Sequence, residues 1–83
     1  RYTYGYALGS SGRYADAQVQ LLKAIEVDPY YAASYYVLGQ VLDAQAKPDE
    51  ALAQYKTFLA RSSQQDLRRK EAEERVAMAK GTQ

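Results

Sequence analysis

The sequence has no cysteine and no histidine. Without cysteine there is no disulfide framework, no thiolate metal site and no thiol nucleophile, and the redox compartment stays undetermined. Without histidine the commonest general base and the commonest metal ligand are missing. Charge of one sign is also missing: 11 Lys and Arg against 10 Asp and Glu leave a net +1. So even a balance gives no broad field to draw in nucleic acid or an anionic membrane surface. Long apolar runs are absent as well. The longest stretch without a formal charge runs from Pro29 to Leu42, too short to span a bilayer. No segment has the layout of a secretory signal. Proline and glycine are few, two and five in 83 residues, which suits a mostly helical chain. The compartment is undetermined on these grounds, with a soluble cytoplasmic setting as the default expectation.

What is present is alanine and tyrosine. The chain has 14 Ala and 9 Tyr, and only 14 Val, Leu and Ile together. A single compact core of this size would want more large aliphatics. Alanine lets helices approach closely, and a ring can fill the space beside it. Tyrosine carries a hydroxyl that must reach water or a partner, so its ring tends to lie near the surface. The inventory predicts thin layers of close-packed helices.

Spacing and punctuation predict five helices. Residues 2–10 form a first helix, ended by the turn residues Ser10-Ser11-Gly12. Residues 13–27 carry Ala17, Leu21, Ala24, Ile25 and Val27 at helical spacing. Asp28-Pro29 reads as a stop followed by a start, with Asp28 as cap and Pro29 in the first turn of a helix over 30–45. That helix places Tyr35, Leu38, Val41 and Leu42 on one face. Lys47-Pro48-Asp49-Glu50 opens a helix over 48–61, with its acids at the positive end of the dipole. Ser63 and Asp66 make an [ST]-x-x-[DE] start signal for a fifth helix over 64–80. Its apolar stripe is thin (Leu67, Ala72, Val76, Ala79). Opposite charges recur four apart in Asp66–Lys70, Arg69–Glu73, Lys70–Glu74 and Glu71–Arg75, the mark of a helix mostly in water.

Sliding the chain on itself until Tyr2 falls on Tyr36 also sets Gly5 on Gly39, Leu8 on Leu42, Ala17 on Ala51 and Gln20 on Gln54. The matches fall on small and bulky residues where helices must touch. A helix–turn–helix unit with a period of about 34 residues is of tetratricopeptide size. The run Tyr35-x2-Leu38-Gly39-x2-Leu42, then Ala51-x3-Tyr55, resembles the tetratricopeptide signature with Tyr in the place of Trp. The earlier copy reads Arg1-x2-Tyr4-Gly5-x2-Leu8, then Ala17-x3-Leu21, Ala24 and Pro29, and Asp28-Pro29 resembles the turn between consecutive repeats. The departures are Arg1 in an aromatic slot, Phe58 where the family prefers Ala, and Ser63 where it ends on Pro. The resemblance implies an all-α superhelix of antiparallel helix pairs. It divides the single domain of residues 1–83 into a truncated first repeat over 1–31, a second over 32–63 and a capping helix over 64–80. The chain then reads as a fragment of a longer protein with more of the same architecture upstream.

The resemblance also implies a function. First helices of stacked pairs line a concave face that binds an extended or helical peptide. The matching positions make Tyr2, Tyr6, Tyr36, Val37, Gln40 and Asp43 the candidate partner-binding residues, with Thr3, Ser10, Ala33 and Ala44 beside them. Tyrosine suits such a face, giving contact area for little rotamer entropy. The alternative is that Tyr36 is only a common family residue and that upstream repeats cover Tyr2 and Tyr6. No Lys or Arg falls at these places, so the carboxylate clamp of some family members is not expected. Tyr30 and Tyr31 are expected to prop the turn between pairs, and Arg68-Arg69-Lys70 to belong to a solvated cap. The expectation is a protein–protein interaction module or scaffold, without catalysis, metal or cofactor, nucleic acid or membrane insertion. Five serines have no histidine to activate them, and no phosphate loop or metal-ligand cluster appears. The rival readings are a structural spacer, a self-associating end of a larger scaffold, or a regulatory appendage of an enzyme.

Overall fold

The apolar spacing becomes five helices. The computed structural model describes residues 2–81, with side chains described as far as residue 79; Arg1, and with it the reading of its slot, lies outside them. The helices are α1 (Tyr2–Ser10), α2 (Tyr14–Val27), α3 (Ala32–Ala44), α4 (Pro48–Arg61) and α5 (Arg68–Gly81), and no strand occurs among the described residues. The shift that sets Tyr2 on Tyr36 also carries both ends of α2, Tyr14 and Val27, onto the ends of α4, Pro48 and Arg61. The internal repeat is therefore a repeat of structure.

Each helix packs on its neighbour in the chain: α1 on α2, α2 on α3, α3 on α4 and α4 on α5, with α1 also touching α3. Short turns and close contact make the pairs antiparallel. Small residues mark the contacts. A Cβ at Gly5 would come within 2.8 Å of the Leu21 side chain, and one at Gly39 within 3.0 Å of the Tyr55 ring. Ala17, Ala51 and Ala72 are fully buried. Leu8, Leu21, Leu38, Leu42, Tyr55 and Phe58 fill the space between them in one continuous core.

The two turns inside the pairs share one geometry. Arg13 N–H donates to Leu8 O at 2.9 Å, and at the same place in the next repeat Lys47 N–H donates to Leu42 O at 3.0 Å. Such a closure needs a left-handed residue just past the helix. The first turn has Gly12 there, at φ 84°; the second has Ala46, at φ 61°.

Three expected details differ. Pro29 is not in the first turn of α3, which begins at Ala32 after Tyr31. The Asp28 carboxylate instead accepts the Tyr30 N–H at 3.2 Å, a local turn that competes with helix. The Tyr35 hydroxyl then donates to Pro29 O at 2.6 Å. The fifth helix starts at Arg68, not residue 64. Ser63 Oγ accepts the Gln65 N–H at 3.1 Å, and Asp66 accepts the Arg68 N–H at 2.9 Å, so Asp66 takes the capping role that Ser63 was expected to serve. Leu67 consequently lies in the turn and is exposed. Among the charges of α5, Arg69 and Glu73 do pair, at 3.6 Å, whereas Glu71 and Arg75 reach across to α3. Arg69 also donates to Leu59 O and Ser62 Oγ, both at 2.8 Å, closing the carbonyl end of α4.

Candidate protein-binding face

The first helix of each pair, and α5 after them, meet along one side of the molecule. Two seams result, and they differ in chemistry. In the α3–α5 seam the Tyr36 hydroxyl donates to Glu71 Oε2 at 2.6 Å, and Gln40 Nε2 donates to the Tyr36 oxygen at 3.2 Å and to Glu71 at 3.3 Å. Arg75 donates twice to Asp43, at 2.7 and 2.9 Å. The Arg68 guanidinium lies 5.8 Å from the Tyr36 ring centre and 5.7 Å from that of Phe58, held from the other side by Asp66 at 2.8 Å. Burial first, and then the hydrogen bond to Glu71, raise the Tyr36 phenol well above its ordinary range. Burial and the neighbouring Asp43 carboxylate do the same to Tyr55. Both hydroxyls therefore stay protonated donors at neutral pH.

The α1–α3 seam is open. Tyr6, Gly9, Ser10 and Tyr14 on one side and Val37, Gln40, Val41 and Ala44 on the other enclose a cavity of about 260 Å³. None of the eight is charged. A Cβ at Gly9 would meet Val41 Cγ2 at 3.2 Å, so the two helices come close there. A second opening of similar size lies at the other end, between Tyr2, Val27, Asp28, Tyr31 and Ser34.

The six candidate residues thus separate. Tyr6 (53% exposed), Val37 and Gln40 come together around the cavity. Tyr2 does not line the cavity; its ring lies 6.2 Å from Tyr6 and edge-on to Tyr31 at 5.2 Å, bridging the two. Tyr36 is not an outward group: it is 8% exposed, 5.2 Å from Phe58 and beneath Glu71. Val37 is likewise buried at 5% and shows the cavity only its edge. Asp43 is engaged by Arg75. Tyr30 carries the Arg61 guanidinium 4.8 Å from its ring centre, consistent with a brace at the turn. Gly9, Tyr14 and Val41 were not among the candidates. The spacing sets Val41 with the core residues Tyr35, Leu38 and Leu42, and nothing in it distinguishes a core wall from a cavity wall.

Among the described residues no group of three or more His, Cys, Asp or Glu is placed to hold a metal ion, and no helix is long and apolar enough to cross a membrane. Paired helices on one repeating register, stacked in chain order, define a helical-repeat protein. Tetratricopeptide-repeat models match over residues 1–31 and 21–53, and the chain belongs to the tetratricopeptide-repeat family. Members of this family generally mediate protein–protein interaction and are typically non-catalytic. No curated protein matches the chain closely enough to be named as a relative.

Proposed function

We propose that the α1–α3 side is a docking face for a peptide or a partner helix, and that the chain works as an interaction module through it. The observation that carries this reading is the uncharged cavity beside the exposed Tyr6 ring. Burial of apolar surface there drives association, and the Tyr6 hydroxyl, Ser10 and Gln40 set the register of the bound chain. The α3–α5 side is closed by its own hydrogen bonds and ion pair, which confines docking to the first seam. A library of random dodecapeptides selected on the chain tests the reading. Tyr6→Ala should lower the affinity of the selected peptides at least tenfold with far-UV circular dichroism unchanged. Peptides indifferent to that change overturn it. Tyr36→Ala is the wrong probe, because its ring is part of the core.

A second reading rests on Tyr4, which is 56% exposed, while its counterpart Leu38 one repeat later is 1% exposed. The outer side of α1 then takes another helix pair, supplied by a second copy of the chain. Sedimentation equilibrium that finds only monomer up to high concentration excludes it.

A further inference from the structure

We propose that α5 is an exchangeable element: two copies of the chain associate by trading their C-terminal helices. In each copy α4 and α5 join into one straight helix, and its second half docks on the other copy. The occupant of the α3–α4 end in that dimer is the second copy's α5. The exchange leaves the α1–α3 side untouched, so it stands whether or not that side docks a peptide.

Three of the four turns contain a residue that stops a helix. Gly12 and Ala46 are left-handed, at φ 84° and 61°, and Pro29 interrupts the chain between α2 and α3. The shift that carries Tyr2 onto Tyr36 carries Pro29 onto Ser63. The turn from Ser62 to Leu67 therefore lacks proline, and it has neither glycine nor a left-handed residue. Side chains hold it closed: Ser63 on the Gln65 N–H, Asp66 on the Arg68 N–H, and Arg69 on Leu59 O and Ser62 Oγ. Each backbone group so engaged finds an ordinary helical partner if the segment straightens. Straightening also leaves one apolar stripe. Phe58 and Val76 are about five turns apart at 3.6 residues per turn, so they face the same way, with Ala72 close to that line. These are residues by which α4 and α5 meet the core.

A straight α4–α5 helix cannot fold back on its own α3, so its second half reaches only another copy. In the closed chain α5 runs antiparallel to α4. Two straight helices laid antiparallel about a twofold axis at the hinge return the α5 of each copy to the α4 of the other. The contacts of the closed chain then re-form between copies, Asp43 with Arg75 (2.7 Å) and Tyr36 with Glu71 (2.6 Å) among them. Little burial is forfeited while α5 is detached, since it adds only Ala72 and Val76 to the core. Such an exchange is self-complementary and closes at two copies, so no filament grows from it.

The chain is refolded from urea at high concentration, and its mass is read by size exclusion with light scattering. A dimer should form that reverts slowly on dilution. Ser63→Pro restores the helix stop, and Ser62 already has the extended backbone (φ −80°, ψ 156°) that a following proline needs. It should cut the dimer fraction at least tenfold. Charge reversal then identifies the exchanged helix. Asp43→Arg and Arg75→Asp each set like charges face to face in a closed monomer. Refolded together in equal amounts, the two variants should form a heterodimer in which both pairs are of opposite sign. It should be at least tenfold more abundant than the dimer of either variant alone. A parent chain or a mixture that stays monomeric overturns the proposal. So does a dimer indifferent to Ser63→Pro, or one that Tyr4→Ser dissolves, which would put the contact on α1. If circular dichroism shows that Ser63→Pro fails to fold, the mixing experiment decides alone.

Discussion

Asp43 and Arg75, far apart in the chain, meet through two hydrogen bonds of 2.7 and 2.9 Å. The pair joins α3 to α5, whose apolar contribution to the core is little more than Ala72 and Val76. A helix so thinly buried depends on such links for its place. Bidentate geometry and partial burial put this one at the upper end of surface ion pairs, about 1 kcal/mol. Arg75→Ala and Asp43→Ala should each speed amide hydrogen exchange in α5 while leaving α2 and α3 protected. The double variant should cost clearly less than the sum of the two. Additive losses would mean that the pair contributes nothing.

Ala46 carries a left-handed backbone at the position where the first repeat has Gly12. A Cβ there costs roughly 1 kcal/mol. Ala46→Gly should therefore raise the urea midpoint by an amount equivalent to about 0.5–1 kcal/mol, an unusual direction for an alanine-to-glycine change. A loss of stability would show that the turn is not under this constraint.

Gly5 lies inside a helix, where alanine is favoured by about 1 kcal/mol. Its missing Cβ would stand 2.8 Å from Leu21 Cγ, and Leu21 is fully buried with nowhere to retreat. Overpacking of this kind costs about 1–3 kcal/mol, so Gly5→Ala should lower the midpoint on balance. Gly12→Ala, with open space around it but φ 84°, should lose stability by strain alone.

Tyr36 and Tyr55 hold their phenol protons above the ordinary range, mainly by burial and next by the carboxylates of Glu71 and Asp43. Unfolded tyrosines ionise near pH 10. Above that pH the unfolded chain sheds protons that the folded chain keeps. The stabilisation is complete below about pH 10 and drains away as pH rises toward the folded values, at about 1.4 kcal/mol per pH unit for each tyrosine. Urea unfolding at pH 8, 10 and 11 measures the slope, and Tyr36→Phe should make it clearly shallower without abolishing it, since Tyr55 and Tyr2 are raised too. A slope unchanged by Tyr36→Phe contradicts the assignment.

The helices were largely legible because they are local. Glycine and alanine at fixed register, Pro48 with Asp49 and Glu50, and the matches from Tyr2/Tyr36 to Ala17/Ala51 contain the pairing in themselves. The start of α5 was not, since Ser63 and Asp66 compete for the same role and only the closing geometry decides between them. Nor was the fate of Tyr36. Spacing puts it on the first-helix face, but burial depends on Glu71 and Arg68, a helix and a turn away. The α1–α3 cavity was only half visible. Tyr6, Val37 and Gln40 follow from register, while Gly9 and Val41 line it only where the two helices come close.

Arg69 belongs to α5 and yet grips Leu59 O and Ser62 at the far end of α4. A force applied at the C-terminal helix is thereby delivered to the helix before it. Those two bonds are weak against the burial of Ala51, Tyr55 and Phe58 that holds α4 in the core, so in a single-molecule pulling record α5 should come away first and leave the first four helices as the surviving body.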